Sequence, residues 1–66
     1  MKNRLKVARA EMDITQGELA ERIGVTRQAV NSIELGKYVP STVLALKMAQ
    51  LFGKSVEELF QLEEDD

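Results

Sequence analysis

Gly24 stands between two runs of helix-type periodicity in the stretch Gln16–Leu35, QGELAERIGVTRQAVNSIEL. A glycine there takes φ > 0 without strain, so it ends one helix and turns the chain sharply into the next. Ala20 is small where two helices must cross closely. Leu19, Ile23, Val25, Val30 and Ile33 are apolar at the spacings that knit two crossed helices together. The pattern predicts a helix-turn-helix. Arg27, Gln28, Asn31 and Ser32 are left on the free face of its second helix, where such side chains can meet base edges and phosphates in a DNA major groove.

Around this pair, helical periodicity dominates and no convincing strand longer than a few residues emerges. A first helix is expected from about Arg4 to Met12, with Leu5, Ala8 and Met12 on one face. Thr15 and Glu18 form a T-x-x-E capping box that opens the second, which ends near Ile23. Thr26 caps the third, and Gly36 fits the position just beyond its end. After the loop Lys37–Pro40, Ser41 caps a fourth helix that runs to about Phe52 and stops at Gly53. Ser55 and Glu58 form a second capping box, opening a short fifth helix through Phe60. The acidic tail, from about residue 61, is expected to fray after Leu62. The reading is one all-α domain over residues 1–66 with five helices.

At 66 residues the core is small, and neither Cys nor His is present. No disulfide can staple the chain, and a structural zinc site is disfavoured. Glu57, Glu58, Glu63, Glu64, Asp65 and Asp66 read as a solvated acidic face in preference to a cation site. No apolar run approaches the ~20 residues that span a bilayer, and MKNRLKVARA lacks the apolar centre of a signal peptide. A cytoplasmic protein without metal or cofactor is expected. Enzyme chemistry has little to stand on. The hydroxyls of Thr15, Ser41 and Ser55 each have a capping role, no His or Cys can activate or replace them, and no Gly-rich phosphate loop occurs.

The formal net charge of −2 argues at first against nucleic acid, but the charges are unevenly placed. Met1–Lys37 holds seven basic and five acidic residues, a balance of +2; Tyr38–Asp66 holds two basic and six acidic, a balance of −4. Binding DNA takes a local basic face, with the acidic half turned away.

The fourth helix is apolar over most of its circumference. Ala45, Met48, Ala49 and Phe52 centre one face; Val43, Lys47 and Gln50 centre the other, flanked by Leu46 and Leu51. So small a domain cannot bury such a helix all round, which points to a subunit contact. Leu46, Leu51, Leu59 and Leu62 are its candidate residues.

The helix count, the run QGELAERIGV-TRQAVNSIELGKYVPS and the closing SVEELF together resemble the phage-repressor-like (Xre-type) helix-turn-helix family over about residues 4–60. Small stand-alone regulators of the family are especially similar, including the GKYVPS loop and the acidic end. The resemblance implies a five-helix repressor-like DNA-binding domain. Arg27, Gln28 and Ser32 fall where the family reads bases. Gln16, Thr26, Asn31 and Lys37 fall where it approaches phosphates. Arg9 and Glu34 match a structural ion pair between the first and third helices. Gly17, early in the second helix, departs from good helix-forming composition.

The expected function is sequence-specific binding of double-stranded DNA by a homodimer on a two-fold operator, regulating transcription as a repressor. One rival is a DNA-binding antitoxin whose partner is a toxin protein. Another is a protein-interaction adaptor that has lost DNA binding.

Overall fold

The computed structural model describes residues 1–66. Its helices are α1 (Leu5–Met12), α2 (Gln16–Ile23), α3 (Arg27–Glu34), α4 (Thr42–Phe52) and α5 (Val56–Leu59). Two-residue strands β1 (Lys2–Asn3) and β2 (Phe60–Gln61) pair antiparallel, Lys2 opposite Gln61 and Asn3 opposite Phe60. The fold is all-α apart from this short clasp between the chain ends.

At four of the five helix starts the side chain of the N-cap residue satisfies an open amide. The hydroxyls of Thr15, Thr26, Ser41 and Ser55 accept from the backbone N–H groups of Glu18, Ala29, Leu44 and Glu58. Glu18 and Glu58 return the bond by accepting from the amides of Thr15 and Ser55, which completes both capping boxes. Those amide bonds favour the ionised carboxylates and hold Glu18 and Glu58 below the usual glutamate pKa. Gly24, at φ 76°, closes α2 in the left-handed region, and the Val25 amide reaches back to the Ala20 carbonyl at 2.9 Å. Gly36, also at φ 76°, lies one residue past the α3 cap; the Lys37 amide donates to the Ser32 carbonyl at 3.0 Å. Asp13 ends α1 in the same left-handed conformation, at φ 56°, which Asp tolerates better than most residues with a Cβ.

Every helix contributes to one core. Leu5 of α1, Leu19 of α2, Val30 and Ile33 of α3, Met48 of α4 and Leu59 of α5 are fully buried, and no polar side chain is. Val25 packs against this core from its edge. Each buried aliphatic side chain contributes about 1.5–3 kcal/mol.

Four expectations need correction. Met12 is exposed, because α1 buries only Leu5 and Ala8. Helix α5 stops at Leu59: Phe60 turns extended and enters β2, where pairing with Asn3 satisfies its backbone. On α4 the buried line is Leu44, Met48 and Ala49, with Ala45, Leu51 and Phe52 half-buried beside it. The last residues fold back instead of fraying. The Met1 ammonium lies 3.1 Å from Glu63 Oε1 and 3.2 Å from Asp66 Oδ1, and the Glu63 amide donates to Asp66 Oδ2 at 2.7 Å. These carboxylates raise the pKa of the ammonium, and Asp66 is lowered, chiefly by the Glu63 amide.

Gly17 has room for a side chain. A methyl group there would lie 3.8 Å from Thr15 Oγ1 and 3.9 Å from Arg27 Cδ, both ordinary contact distances. Gly17→Ala should therefore stabilise the domain by about 0.5–1 kcal/mol through helix propensity and lost freedom of the unfolded chain. Thermal unfolding should show a higher Tm; a lower one would mean that the Arg27 stem cannot accommodate the methyl.

Candidate nucleic-acid interface

Helix α3 divides its two faces sharply. Val30 and Ile33 are each 1% exposed, whereas Arg27, Gln28 and Asn31 are exposed and Ser32 is half-buried. Its first turn thus presents a cation and an amide to solvent while its other side is locked into the core. Thr26 caps that turn, with its hydroxyl accepting from the Ala29 amide at 3.1 Å. Lys37 stands exposed at the far end.

Beside the first turn lies a shallow groove lined by Arg9, Asp13, Thr15, Gln16, Gly17 and Arg27. It brings the start of α2 alongside the start of α3. Residues far apart in sequence therefore face one another here, because Gly24 folds α3 back across α2.

The orientation of α3 is held by a polar row. Arg9 Nε donates to Glu34 Oε2 at 2.6 Å and Arg9 Nη2 to Glu34 Oε1 at 3.1 Å, a bidentate pair. Arg9 Nη1 donates to the Ile14 carbonyl at 3.0 Å. The two side chains are 14% and 7% exposed, so the pair is largely withdrawn from water. The hydrogen bonds to Glu34 raise the Arg9 pKa, and the guanidinium stays charged at every pH the fold survives. Gln16 extends the row: its Nε2 donates to Glu34 Oε1 at 3.1 Å and to Asn31 Oδ1 at 3.2 Å. The resemblance paired Arg9 with Glu34, and the structure joins them; Gln16 and Asn31 were reached singly. The bonds from Gln16 to Glu34 and Asn31 had no signal in the sequence, because they depend on how α2 lies across α3.

A second brace holds the other end of the helix. Asn3 Nδ2 donates to the Ile33 carbonyl at 2.8 Å, while Asn3 Oδ1 accepts from the Leu5 amide at 3.3 Å. One asparagine thereby joins the start of α1, the end of α3 and strand β1. Asn3 was not singled out from the sequence. Met1, Asn3, Glu34, Gly36 and Glu63 line a common groove at this end. Part of the acidic tail thus lies at the C-terminal end of α3, away from Arg27.

Of the four leucines expected at a subunit contact, two are withdrawn. Leu59 is fully buried and belongs to the core, because the single turn of α5 points it inward. Leu51 is half-buried against the core. Leu46 is 51% exposed and Leu62 81% exposed. Val43, three residues earlier on α4, is exposed as well, as are Tyr38 and Val39 of the preceding loop. A cleft of about 190 Å³ lined by Pro40, Ala45, Leu46, Val56 and Phe60 opens beside Leu46.

Two short crossed helices with a left-handed glycine between them, the second bearing exposed polar residues on its first turn, define a helix-turn-helix domain. The helix-turn-helix family model matches residues 5–59, from the first residue of α1 to the last of α5. An uncharacterized HTH-type transcriptional regulator of Methanocaldococcus jannaschii is 48% identical over 66 residues, covering 100% of both chains. YgzD, an uncharacterized HTH-type transcriptional regulator of Bacillus subtilis, is also 48% identical over 66 residues with 100% of both chains covered. One from Archaeoglobus fulgidus is 42% identical over 66 residues, covering 100% of this chain and 93% of its own. The chain belongs to the helix-turn-helix family of the phage-repressor-like, Xre type.

Proposed function

We propose that the chain is a sequence-specific double-stranded-DNA-binding regulator of transcription, acting as a repressor and as a homodimer. One observation carries the reading. The first turn of α3 is exposed and polar while the helix is fixed from behind by the core and from the side by the Arg9–Glu34–Gln16 row. A rigid helix with its N-terminal side chains outward is what major-groove readout needs. The names of its relatives as HTH-type transcriptional regulators support it.

In this reading Arg27 and Gln28 reach base edges, and Ser32 permits close approach one turn later. Arg suits the guanine O6/N7 edge and Gln the adenine N6/N7 edge. Gln16, Thr26, Asn31 and Lys37 border the phosphate backbone. The protein works as a binding module, not an enzyme: the hydroxyls of Thr15, Ser41 and Ser55 are all committed to helix caps. No helix of the structure is long and apolar enough to cross a membrane, and a cytoplasmic location follows from work on DNA.

The homodimer rests on the exposed apolar surface around Leu46 and on size. The domain measures 31 × 23 × 21 Å. Two such bodies side by side can set their recognition helices roughly 34 Å apart, one turn of DNA. A partner toxin covering the same surface is the competing occupant.

The test of readout is a binding-site selection from random DNA, repeated with Arg27→Ala and Gln28→Ala. Each substitution should cost about 1–3 kcal/mol on the preferred site and flatten preference at one base position. Unchanged preference in both variants would remove α3 from the role of reader.

A further inference from the structure

The last carbonyls of a helix have no donors within it, and α3 meets part of that need from the chain terminus. The Ile33 carbonyl accepts from the Gly36 amide at 2.9 Å, which closes the turn after the helix, and from Asn3 Nδ2 at 2.8 Å. Asn3 is half-buried, and its other polar atom is used as well: Oδ1 accepts from the Leu5 amide at 3.3 Å. Arg4, the residue before α1, offers no side-chain cap. Asn3 supplies the acceptor in its place, reaching two residues on as in an Asx turn. Both partners are main-chain groups of fixed polarity, one a donor and one an acceptor. The Asn3 amide can therefore stand only one way round.

This brace differs in kind from the Arg9–Glu34–Gln16 row. Contacts of the row end on the side chains of Glu34 and Asn31, with rotatable bonds between them and the helix. Asn3 grips the main chain of α3 itself, at the atom that also closes the following turn. Its own main chain is anchored on the opposite side. Asn3 pairs with Phe60, and the next amide, that of Arg4, donates to the Leu59 carbonyl at 2.8 Å. The Met1 carbonyl oxygen lies 3.6 Å from where a Cβ of Gly36 would stand, so β1 also packs close against the turn.

We infer that Asn3 is a positioning residue for the recognition helix: through it the β1–β2 clasp fixes the last turn of α3, and the turn that follows, in the place that DNA binding requires. It acts through the Ile33 carbonyl and not as a contact of DNA. The inference rests on the DNA-binding reading above and deepens it, because it assigns part of the affinity to a residue outside the helix-turn-helix. Without the brace the core remains, but the end of α3 and residues 35–37 must be ordered when DNA binds. That ordering is subtracted from the affinity.

The experiment uses the full chain, labelled with ¹⁵N and ¹³C, and a duplex obtained by selection from random DNA. In the free protein a coupling through the hydrogen bond should join the Asn3 side-chain nitrogen to the Ile33 carbonyl carbon. Asn3→Ser is neutral and keeps an oxygen that can accept from the Leu5 amide, but it has no second arm for Ile33. Asn3→Asp keeps the reach and sets an acceptor against the Ile33 carbonyl. Each variant should lower the Tm by roughly 5 °C. Each should speed exchange of the Gly36 and Lys37 amides more than that of the Met48 amide in α4. Each should also weaken binding to the duplex by roughly 5- to 10-fold at a temperature where the chain is fully folded.

Ala49→Gly lies in α4, which none of the Asn3 hydrogen bonds reaches. It should lower the Tm at least as much and still bind the duplex as the wild type does. That contrast separates positioning from stability. Asn3 variants that bind as tightly as Ala49→Gly overturn the inference while DNA binding itself stands. So does the absence of the Asn3–Ile33 coupling, or exchange at Gly36 and Lys37 that follows Met48. A wild-type chain that selects no duplex overturns the DNA-binding reading, and the inference with it.

Discussion

Replacing Glu34 with alanine should lower the unfolding temperature by roughly 10–20 °C, the largest effect expected of any single polar substitution in this protein. The Arg9 side chain is 14% exposed in the intact pair, and the substitution leaves its guanidinium the Ile14 carbonyl as its one remaining protein acceptor. A partly buried charge deprived of its partner costs up to about 3 kcal/mol, above the value of a surface ion pair. Small domains are stable by only ~5 kcal/mol, so the loss is a large share of the total. Replacing both residues with apolar side chains of similar size, Arg9→Met with Glu34→Leu, removes the stranded charge and should recover much of the stability. A double-mutant cycle by thermal unfolding should give a coupling of about 2 kcal/mol. Coupling within error of zero would mean that water reaches the pair and that α3 is held by its apolar face alone.

Leu46→Glu should convert a dimer to monomer in sedimentation equilibrium at micromolar concentration. It should also weaken binding to a two-fold operator by roughly 100-fold or more, because the second half-site then no longer gains from the first. Leu46 is the leucine to test because it is 51% exposed in the single chain. A charge there leaves the monomer's own packing intact and penalises only an interface. Leu51→Glu would damage the core as well, since Leu51 packs against it, and Leu59→Glu would destroy it. The fold of Leu46→Glu should therefore survive, as judged by circular dichroism. A wild-type chain that is monomeric and still binds its operator tightly defeats the homodimer. The exposed apolar residues Val43 and Leu46 of α4 would then await another protein, the toxin reading foremost.

Much of the fold is legible along the chain because its signals are local. Thr15 with Glu18, and Ser55 with Glu58, announce helix starts within four residues, and Gly24 announces a turn by itself. Such features involve only neighbours, so they survive whatever the rest of the chain does. The errors fall where a distant segment decides. Phe60 continues the apolar pattern of a helix, yet backbone pairing with Asn3 draws it into a strand. Met12 fits the buried face of α1 by spacing, but the core ends before it does. Leu59 looked available to a partner because a short C-terminal helix is hard to orient from sequence; in the fold it closes the core.

The candidate interface divides in the same way. Sequence by itself determined the two crossed helices, their caps, and the exposed polar residues at the start of the second, since each depends on spacing within one or two turns. Tertiary structure alone decided how those residues are held. Arg9, Gln16, Asn31 and Glu34 lie on three different helices, and only the packing of α1 and α2 against α3 brings them into one hydrogen-bonded row. Asn3 reaches the end of α3 from the chain terminus by the pairing of β1 with β2. Hydrogen bonds are short and directional, so they register distances of tenths of an ångström that no periodicity of residue types encodes.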